Sequence, residues 1–489
     1  MNARLIKETR ALLPMFAGTL PLIVLPQFIW PPSEFGWLAL GVACVVMAGS
    51  AFGTEYQHRT ITLLLSQPIA RSVIWRDKML VLGAGMVASL GALLLCLAVR
   101  RPMIDGQNWL ALALIPLCAF CGAPFWTLVL RQGIGGMVAT VGFPSGIMAA
   151  CMLVYVQSGS TNETTMVAAM LSLLLIYCAV VYWLGYAKFK RLQALDAPSR
   201  ELSLPAGLED FLTRPLTKLS SRFRGPFATL LKKEFRLQQI SFLLAGVCVL
   251  IAVVGFCVAT RRPDIAAGIV GGDLLLYVLI LPLIAGAISV AEERGWGMAE
   301  WHLTLPPSAL KQWSAKMLAA LSTSLVLGLL LPTAIFLAAD PLFNKPDVRG
   351  SWPPAYAILC WVLGQLLLTS VAVYAASFAK NTLQAILAAF VILAAAGGAI
   401  VLAINWIHLV TPTLRLWIGH PHADEGLILP ILSGALVLML CLFQWFAWSN
   451  FRRHGRPALG LSVQFTVIFL SVWVIAWIFF SALFYANGG

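Results

Sequence analysis

Residues 79–99 read MLVLGAGMVASLGALLLCLAV. The run carries no charge and is as long as the ~20 helical residues that cross the hydrocarbon of a bilayer. Uncharged runs of the same kind recur at 133–157, 274–291, 317–339 and 427–449. Around them the 489-residue chain is 60% hydrophobic and 11% charged, with a mean hydropathy of +0.87. A soluble domain carries roughly 25% charged residues, and a membrane β-barrel shows short alternating segments instead. The expected fold is all-α, a polytopic transmembrane helical bundle. Spans are expected over 12–30, 36–53, 79–99, 109–130, 133–157 and 166–187, then, after a polar stretch at 188–238, over 240–259, 274–291, 317–339, 353–378, 383–407, 427–449 and 462–485.

The net charge of +13 follows from topology. Counted along alternating spans, 26 of the 33 Lys and Arg fall on one side and 7 on the other, whereas the 20 acids split 11 to 9. A basic bias without an acidic one is the positive-inside pattern. It places the N-terminus and the basic side in the cytoplasm, the chain in the inner (cytoplasmic) membrane as a multi-pass protein, and no nucleic acid among its partners. The N-terminal charges Arg4, Lys7, Glu8 and Arg10 precede a long apolar run followed by further spans, which does not read as a cleavable signal. Nearly all of the ten cysteines sit in apolar runs, and the one C-x-x-C spacing, Cys118-Ala119-Phe120-Cys121, lies inside such a run. They read as buried structural thiols.

The chain reads as a duplication. Lys7-Glu8 with Arg10 matches Lys233-Glu234 with Arg236, each in an amphipathic stretch ahead of the first span of its half. Glu55, Pro68, Trp75 and Lys78-Met79-Leu80 match Glu293, Pro306, Trp313 and Lys316-Met317-Leu318, all at an offset of 238 residues. Arg131 matches Lys380, and Phe189 in KFKR matches Phe451 in NFRR. An even number of spans in each half makes the repeats parallel, related by an axis along the membrane normal. The expected organisation is a first six-span half at 1–190, a cytoplasmic linker at 191–226, a second six-span half at 227–455 and an extra C-terminal helix at 456–489, peripheral or an oligomer contact.

Between spans two and three of the first half stands GTEYQHRTITLLLSQPIARSVIWRDKML, residues 53–80. Ile61, Leu64, Leu65, Pro68 and Ile69 share one helical face. Pro68 breaks the chain, and a second helix from Arg71 is expected to run into the third span, with Trp75, Arg76 and Lys78 at the headgroups. The second half repeats the plan: Glu292 and Glu293 open it, Pro306-Pro307 break it, and Lys316 meets the next span. An interfacial helix lying on headgroups has this amphipathic character. Its recurrence at two equivalent places suits a two-fold partner.

Glu55-x3-Arg59-Thr60, Leu64-Leu65-Ser66-x-Pro68-Ile69-x-Arg71 and Lys78 resemble the signature of the membrane subunits of type-2 ABC exporters, at the coupling helix and its turn into the third span. The six-span plan with an N-terminal elbow helix is similar. The second half departs from the pattern, with Gly295-Trp296-Gly297 and Thr304-Leu305-Pro306 in place of the more regular first copy. The resemblance implies a permease without an ATPase site of its own. Glu55, Arg59, Leu64, Leu65, Pro68, Arg71, Glu292, Glu293, Glu300 and Pro306 would contact a separate ATPase, with elbow helices at Lys7, Glu8, Lys233 and Glu234. It implies two ATPase copies, no cofactor in this chain, and ATP and Mg bound in the partner. The chain has no G-x-x-x-x-G-K-[ST] loop. An ATPase-independent carrier or a membrane scaffold is the alternative.

An ion-coupled carrier places charge inside the membrane. Here Glu34, Asp105, Glu163, Asp264, Asp340 and Asp347 fall in outer loops, and Asp273 reads as a loop cap at the outer mouth of its span. This suits an apolar or amphiphilic cargo. His420, His422, Asp424 and Glu425 cluster in an outer loop at about 408–426, which has the place of the family's re-entrant element; the cluster reads as a solvated loop rather than a metal site. Arg100-Arg101 and Arg261-Arg262 read as arginines reaching the outer headgroups.

Overall fold

The computed structural model describes residues 3–29, 34–57, 60–100, 106–157, 163–192, 226–259, 263–295, 308–343, 354–418, 428–453 and 460–486. In a bilayer every backbone N–H and C=O must find its partner inside the protein. The described chain accordingly folds into helices: α1 (Ala3–Ile29), α2 (Glu34–Gln57), α3 (Ile61–Leu65), α4 (Arg71–Arg100), α5 (Gly106–Leu130), α6 (Gly133–Gln157), α7 (Glu163–Arg191), α8 (Pro226–Leu237), α9 (Gln239–Ala259), α10 (Pro263–Gly295), α11 (Ala309–Leu325), a π-helical turn (Val326–Leu330), α12 (Leu331–Phe343), α13 (Pro354–Ala376), α14 (Thr382–Ile418), α15 (Ile428–Arg452) and α16 (Leu461–Ala486). Twelve candidate spans among them have the length and apolar composition to cross a membrane. The protein is an all-α, polytopic membrane protein. The thirteenth expected span, 12–30, forms most of α1, and its end lies outside the described residues.

α2 and α10 occupy the middle and are largely buried, whereas α7 and α16 lie at the periphery. Their outward side chains, such as Ile176, Trp183 and Leu470, are apolar and exposed, as a surface facing lipid requires. Two seams join the halves of the chain: α1 lies on α14, and α6 lies on α9. One core cluster draws on both halves, with Met15, Met137, Ile288, Tyr374 and Leu383 among its members. Within each half, small residues allow close approach of the helices. A Cβ on Gly286 would stand 2.5 Å from the Thr369 carbonyl oxygen, and one on Gly53 would stand 2.8 Å from the Cα of Gly133. Arg131 turns the chain between α5 and α6 with a left-handed backbone, φ 53°.

Several expectations change. The first elbow and first span form one helix, α1, whereas α8 and α9 are separated at Gln238. There the Gln238 amide donates to the Ala285 carbonyl (3.0 Å) and its Oε1 accepts from the Ser241 hydroxyl (3.0 Å), so a buried side chain secures the corner. Asp273 is not a loop cap: α10 starts at Pro263, which puts Asp273 in its third turn. The stretch 408–418 is not a loop but the end of α14. His420, His422, Asp424 and Glu425, and the linker residues 193–225, lie outside the described residues. α16 lies at the periphery, one of the places expected for it, and packs on the bundle along one side. In the first half α6 and α7 touch each other; in the second, α16 packs on both α14 and α15. It is secured by Gln464, fully buried, whose Oε1 accepts from the Tyr374 hydroxyl (3.0 Å) and whose amide donates to Asn450 (3.0 Å).

Candidate functional site

Two lysines define the candidate site. Lys78, in the second turn of α4, is 3% exposed, and Lys316, early in α11, is 2% exposed. A buried ammonium is tolerated only when paired and hydrogen-bonded, and both are. Lys78 Nζ lies 2.8 Å from Glu8 Oε2 of α1 and 3.2 Å from Glu55 Oε1 of α2. It also donates to the Ala51 carbonyl at 3.2 Å. Lys316 Nζ lies 2.9 Å from Glu234 Oε1 of α8 and 2.8 Å from Glu293 Oε2 of α10. Its backbone acceptor is the Ser289 carbonyl, at 3.0 Å. The first cluster ties together α1, the end of α2 and the start of α4; the second ties together α8, the end of α10 and the start of α11.

The shells around them differ. On the first side Glu55 also accepts a hydrogen bond from the Thr60 hydroxyl, and Lys7 stands exposed but close enough for its charge to act on Glu55. Asp77 is buried beside Arg4 (3.9 Å) and Arg76 (3.8 Å). On the second side Lys233 pairs directly with Glu293. Burial pushes the Glu234 carboxyl above the usual carboxylate range, opposed by Lys316 and reinforced by the neighbouring Glu293 charge. Among the described residues its Oε2 has no hydrogen-bond partner. Glu292 is separate: it accepts from the Thr382 hydroxyl at 2.6 Å and so ties α10 to the start of α14.

A second duplicated feature lies beside the lysines. Trp75 packs on Phe189 (5.6 Å) and Tyr186 (6.1 Å) of α7, and Trp313 packs on Phe451 (5.1 Å) and Trp448 (5.7 Å) of α15. A basic residue then covers the outer ring of each set, Lys190 over Tyr186 (4.7 Å) and Arg452 over Trp448 (5.6 Å). Such contacts contribute about 0.5–1 kcal/mol each when exposed. These cation–π contacts lie within α7 and α15; the Trp75 and Trp313 ring contacts are what fasten the sixth long helix of each half to the helix that carries the lysine.

Between α2 and α4 runs the segment that opened toward a partner in the sequence. α3 is shorter than its apolar pattern: it ends at Leu65, and Pro68 and Ile69 lie in the bend before α4. Ile61 and Leu64 are buried in the core of the first half, and Leu65 and Ile69 are half-buried. Arg71 donates to the Lys190 carbonyl at 2.6 Å. What remains outward is Leu63, Ser66, Gln67, Pro68 and Ala70. Glu55 and Glu293 are therefore turned into the protein, onto the lysines. Arg59, Glu300 and Pro306 lie outside the described residues.

Lys78 and Lys316 were visible in the sequence as repeat anchors, yet their role was not. The signal was a lysine at the start of an apolar span with two duplicated glutamates upstream. Among the described residues no group of His, Cys, Asp or Glu is arranged to hold a metal ion. Compared with known proteins, the chain matches no family model, no curated protein and no solved structure.

Proposed function

We propose that the chain is the membrane-spanning permease subunit of an ATP-driven exporter of the type-2 ABC kind. In this reading two parallel six-helix repeats dock a separate ATPase, in two copies, and move an apolar or amphiphilic substrate. The observation that carries the proposal is the duplicated lysine cluster with its aromatic clasp. Each copy braces the place where a coupling helix is expected. In the first half the brace leaves a rim of Leu63, Ser66, Gln67, Pro68 and Ala70 facing outward from the buried Ile61 and Leu64. A push on that rim would be transmitted through Glu55 and Lys78 to α1, α2 and α4. A partner that contacts the rim differently in its ATP-bound and ATP-free states would bias the arrangement of the helices.

The basic side, which carries this rim, is cytoplasmic in the proposal, and the membrane is the inner membrane. Photo-crosslinkers placed at Leu63 and Gln67 test it. Crosslinks to a co-expressed ABC ATPase, lost when the crosslinker is moved to lipid-facing Trp183, support the reading. No crosslink to any ATPase would leave the carrier or scaffold reading in its place.

A further inference from the structure

Asp273 lies deep in the membrane. Its hydrogen-bonding neighbour is Cys248, next to the midpoint of the 21-residue α9. A helix of that length is about as long as the hydrocarbon is thick, so the carboxyl stands near mid-depth. Its Oδ2 is buried and, among the described residues, has no hydrogen-bond partner. The titratable groups that act on it are Cys248 of α9 and Tyr277, one turn further along α10. The described side chains of α9, the π-helical turn, α12, α13 and α14 include no Lys, Arg, His or further acid. Lys316 of α11 belongs to the cluster at the other end of α10, beside Glu293.

Two breaks in the backbone meet beside this carboxyl. Pro282 has no N–H to offer the Val278 carbonyl, and the Gln365 amide of α13 donates to that carbonyl instead, at 3.0 Å. The π-helical turn Val326–Leu330 interrupts the path from α11 to α12, and the Tyr277 hydroxyl donates to its Leu327 carbonyl at 3.0 Å. Gln365, 1% exposed, also lies against this turn: a Cβ on Gly328 would stand 2.6 Å from its Oε1. Side chains thus complete the backbone at both breaks, as hydrocarbon requires, and proline and π-turns are where helices bend. The first half has neither device. Counted back by 238 residues, Phe35, Ala39 and Cys44 stand for Asp273, Tyr277 and Pro282, and α4 runs unbroken from Arg71 to Arg100.

We infer that Asp273 is a proton-binding site within the membrane, closed over by the hinge that Tyr277 and Gln365 hold together. A carboxylate in hydrocarbon with no cation facing it is costly. A metal cation there would need several more oxygen ligands, whereas a proton needs only the carboxylate. In the closed arrangement the acid is neutral, with one O–H bond. Opening at the two breaks admits water, which takes that proton, and closing follows its return. No electron moves and no other reactant is required. The inference is independent of the exporter reading and needs no ATPase for its test.

The full chain, in nanodiscs of ether-linked lipids, which lack ester carbonyls, is titrated from acid to alkaline pH by infrared spectroscopy. Near neutral pH one carboxylic-acid carbonyl band should be present in the wild type and lost in Asp273→Asn. It should shift in heavy water, and in protein made with aspartate carrying heavy carbon in its carboxyl. Buried glutamates such as Glu234 and Glu292 do not respond to that label, so the labelled wild type decides even if the variant does not fold. Tyr277→Phe loosens the hinge beside the acid and should move the midpoint of the band to lower pH. No aspartic-acid band near neutral pH, or one retained in Asp273→Asn, would overturn the site. So would a band that sodium chloride removes at constant pH and choline chloride does not, which would identify a metal cation as the occupant. An unmoved midpoint in Tyr277→Phe would overturn its coupling to the hinge.

Discussion

The two lysine clusters share a centre and differ in their surroundings. Both hold one ammonium between two carboxylates and one backbone carbonyl. In the first half the second carboxylate of the set, Glu55, is completed by a hydroxyl, Thr60, and charge is spread outward through Asp77, Arg4 and Arg76. In the second half a second lysine, Lys233, closes on Glu293, and the carboxylates are drier: their side chains are 4% and 5% exposed, against 10% and 13% in the first. The same constraint, one buried cation shared by two anions, thus has a wetter solution and a drier one. Dry ion clusters are weak evidence for net stability but are costly to break from one side.

The largest expected effect follows from that cost. Lys316→Met leaves Glu234 and Glu293 buried with only Lys233 nearby, and a loss of about 3–5 kcal/mol is expected. Lys78→Met should cost less because its carboxylates reach water more easily. Denaturant unfolding of both variants in detergent reads the difference, and a larger loss for Lys78→Met would break the comparison. Next comes α16, packed on the second half. Gln464→Leu strands the Tyr374 hydroxyl and the Asn450 Oδ1, while the Asn450 amide nitrogen keeps the Ser377 hydroxyl, and should cost about 1–3 kcal/mol.

A smaller, pH-dependent effect separates the clusters more finely. The Glu234 carboxyl is pushed up in the folded protein, so between its unfolded and folded values the native state binds more protons. Its contribution to stability is fully present below the unfolded value, about pH 4.3. It falls as pH rises through the folded value, by at most about 1.4 kcal/mol per pH unit. Glu234→Gln should flatten that fall, as read from unfolding midpoints between pH 4 and 8 (a range set around the ordinary carboxylate value). An unchanged slope would show that Glu234 is ionised throughout. The smallest effect on folding is expected at the rim. Leu63 is 66% exposed, so Leu63→Glu should change stability by no more than about 0.5 kcal/mol while reducing ATPase co-purification. A large loss of stability would mean that the rim is packed rather than presented.

The long helices were legible because membrane solvation writes them locally: an uncharged run of some 20 residues has few other ways to satisfy its backbone. The break near Pro68 and the helix from Arg71 into the third span were legible for a similar reason, since proline acts on its own turn. The inward turn of Glu55 was not. Its polar, half-apolar surroundings read as a surface face, and the lysine that captures it answers as much to Glu8, 70 residues earlier in the chain. The elbow of the first half was also misjudged. A charged, amphipathic stretch looks like a separate helix in both copies, but only Gln238 supplies a buried side chain to hold the corner.

Composition, charge asymmetry and the spacing of apolar runs determined that this is an all-α membrane protein, because those signals act within a turn or within one span. Tertiary structure decided which charges are working surfaces and which are internal ties, where α16 sits, and which side chains complete the backbone beside Asp273. Those outcomes depend on partners such as Lys316 and Glu234, 82 residues apart, Tyr374 and Gln464, 90 apart, and Tyr277 and Leu327, 50 apart. No local pattern encodes such distances. They are set by which helices the packing brings side by side.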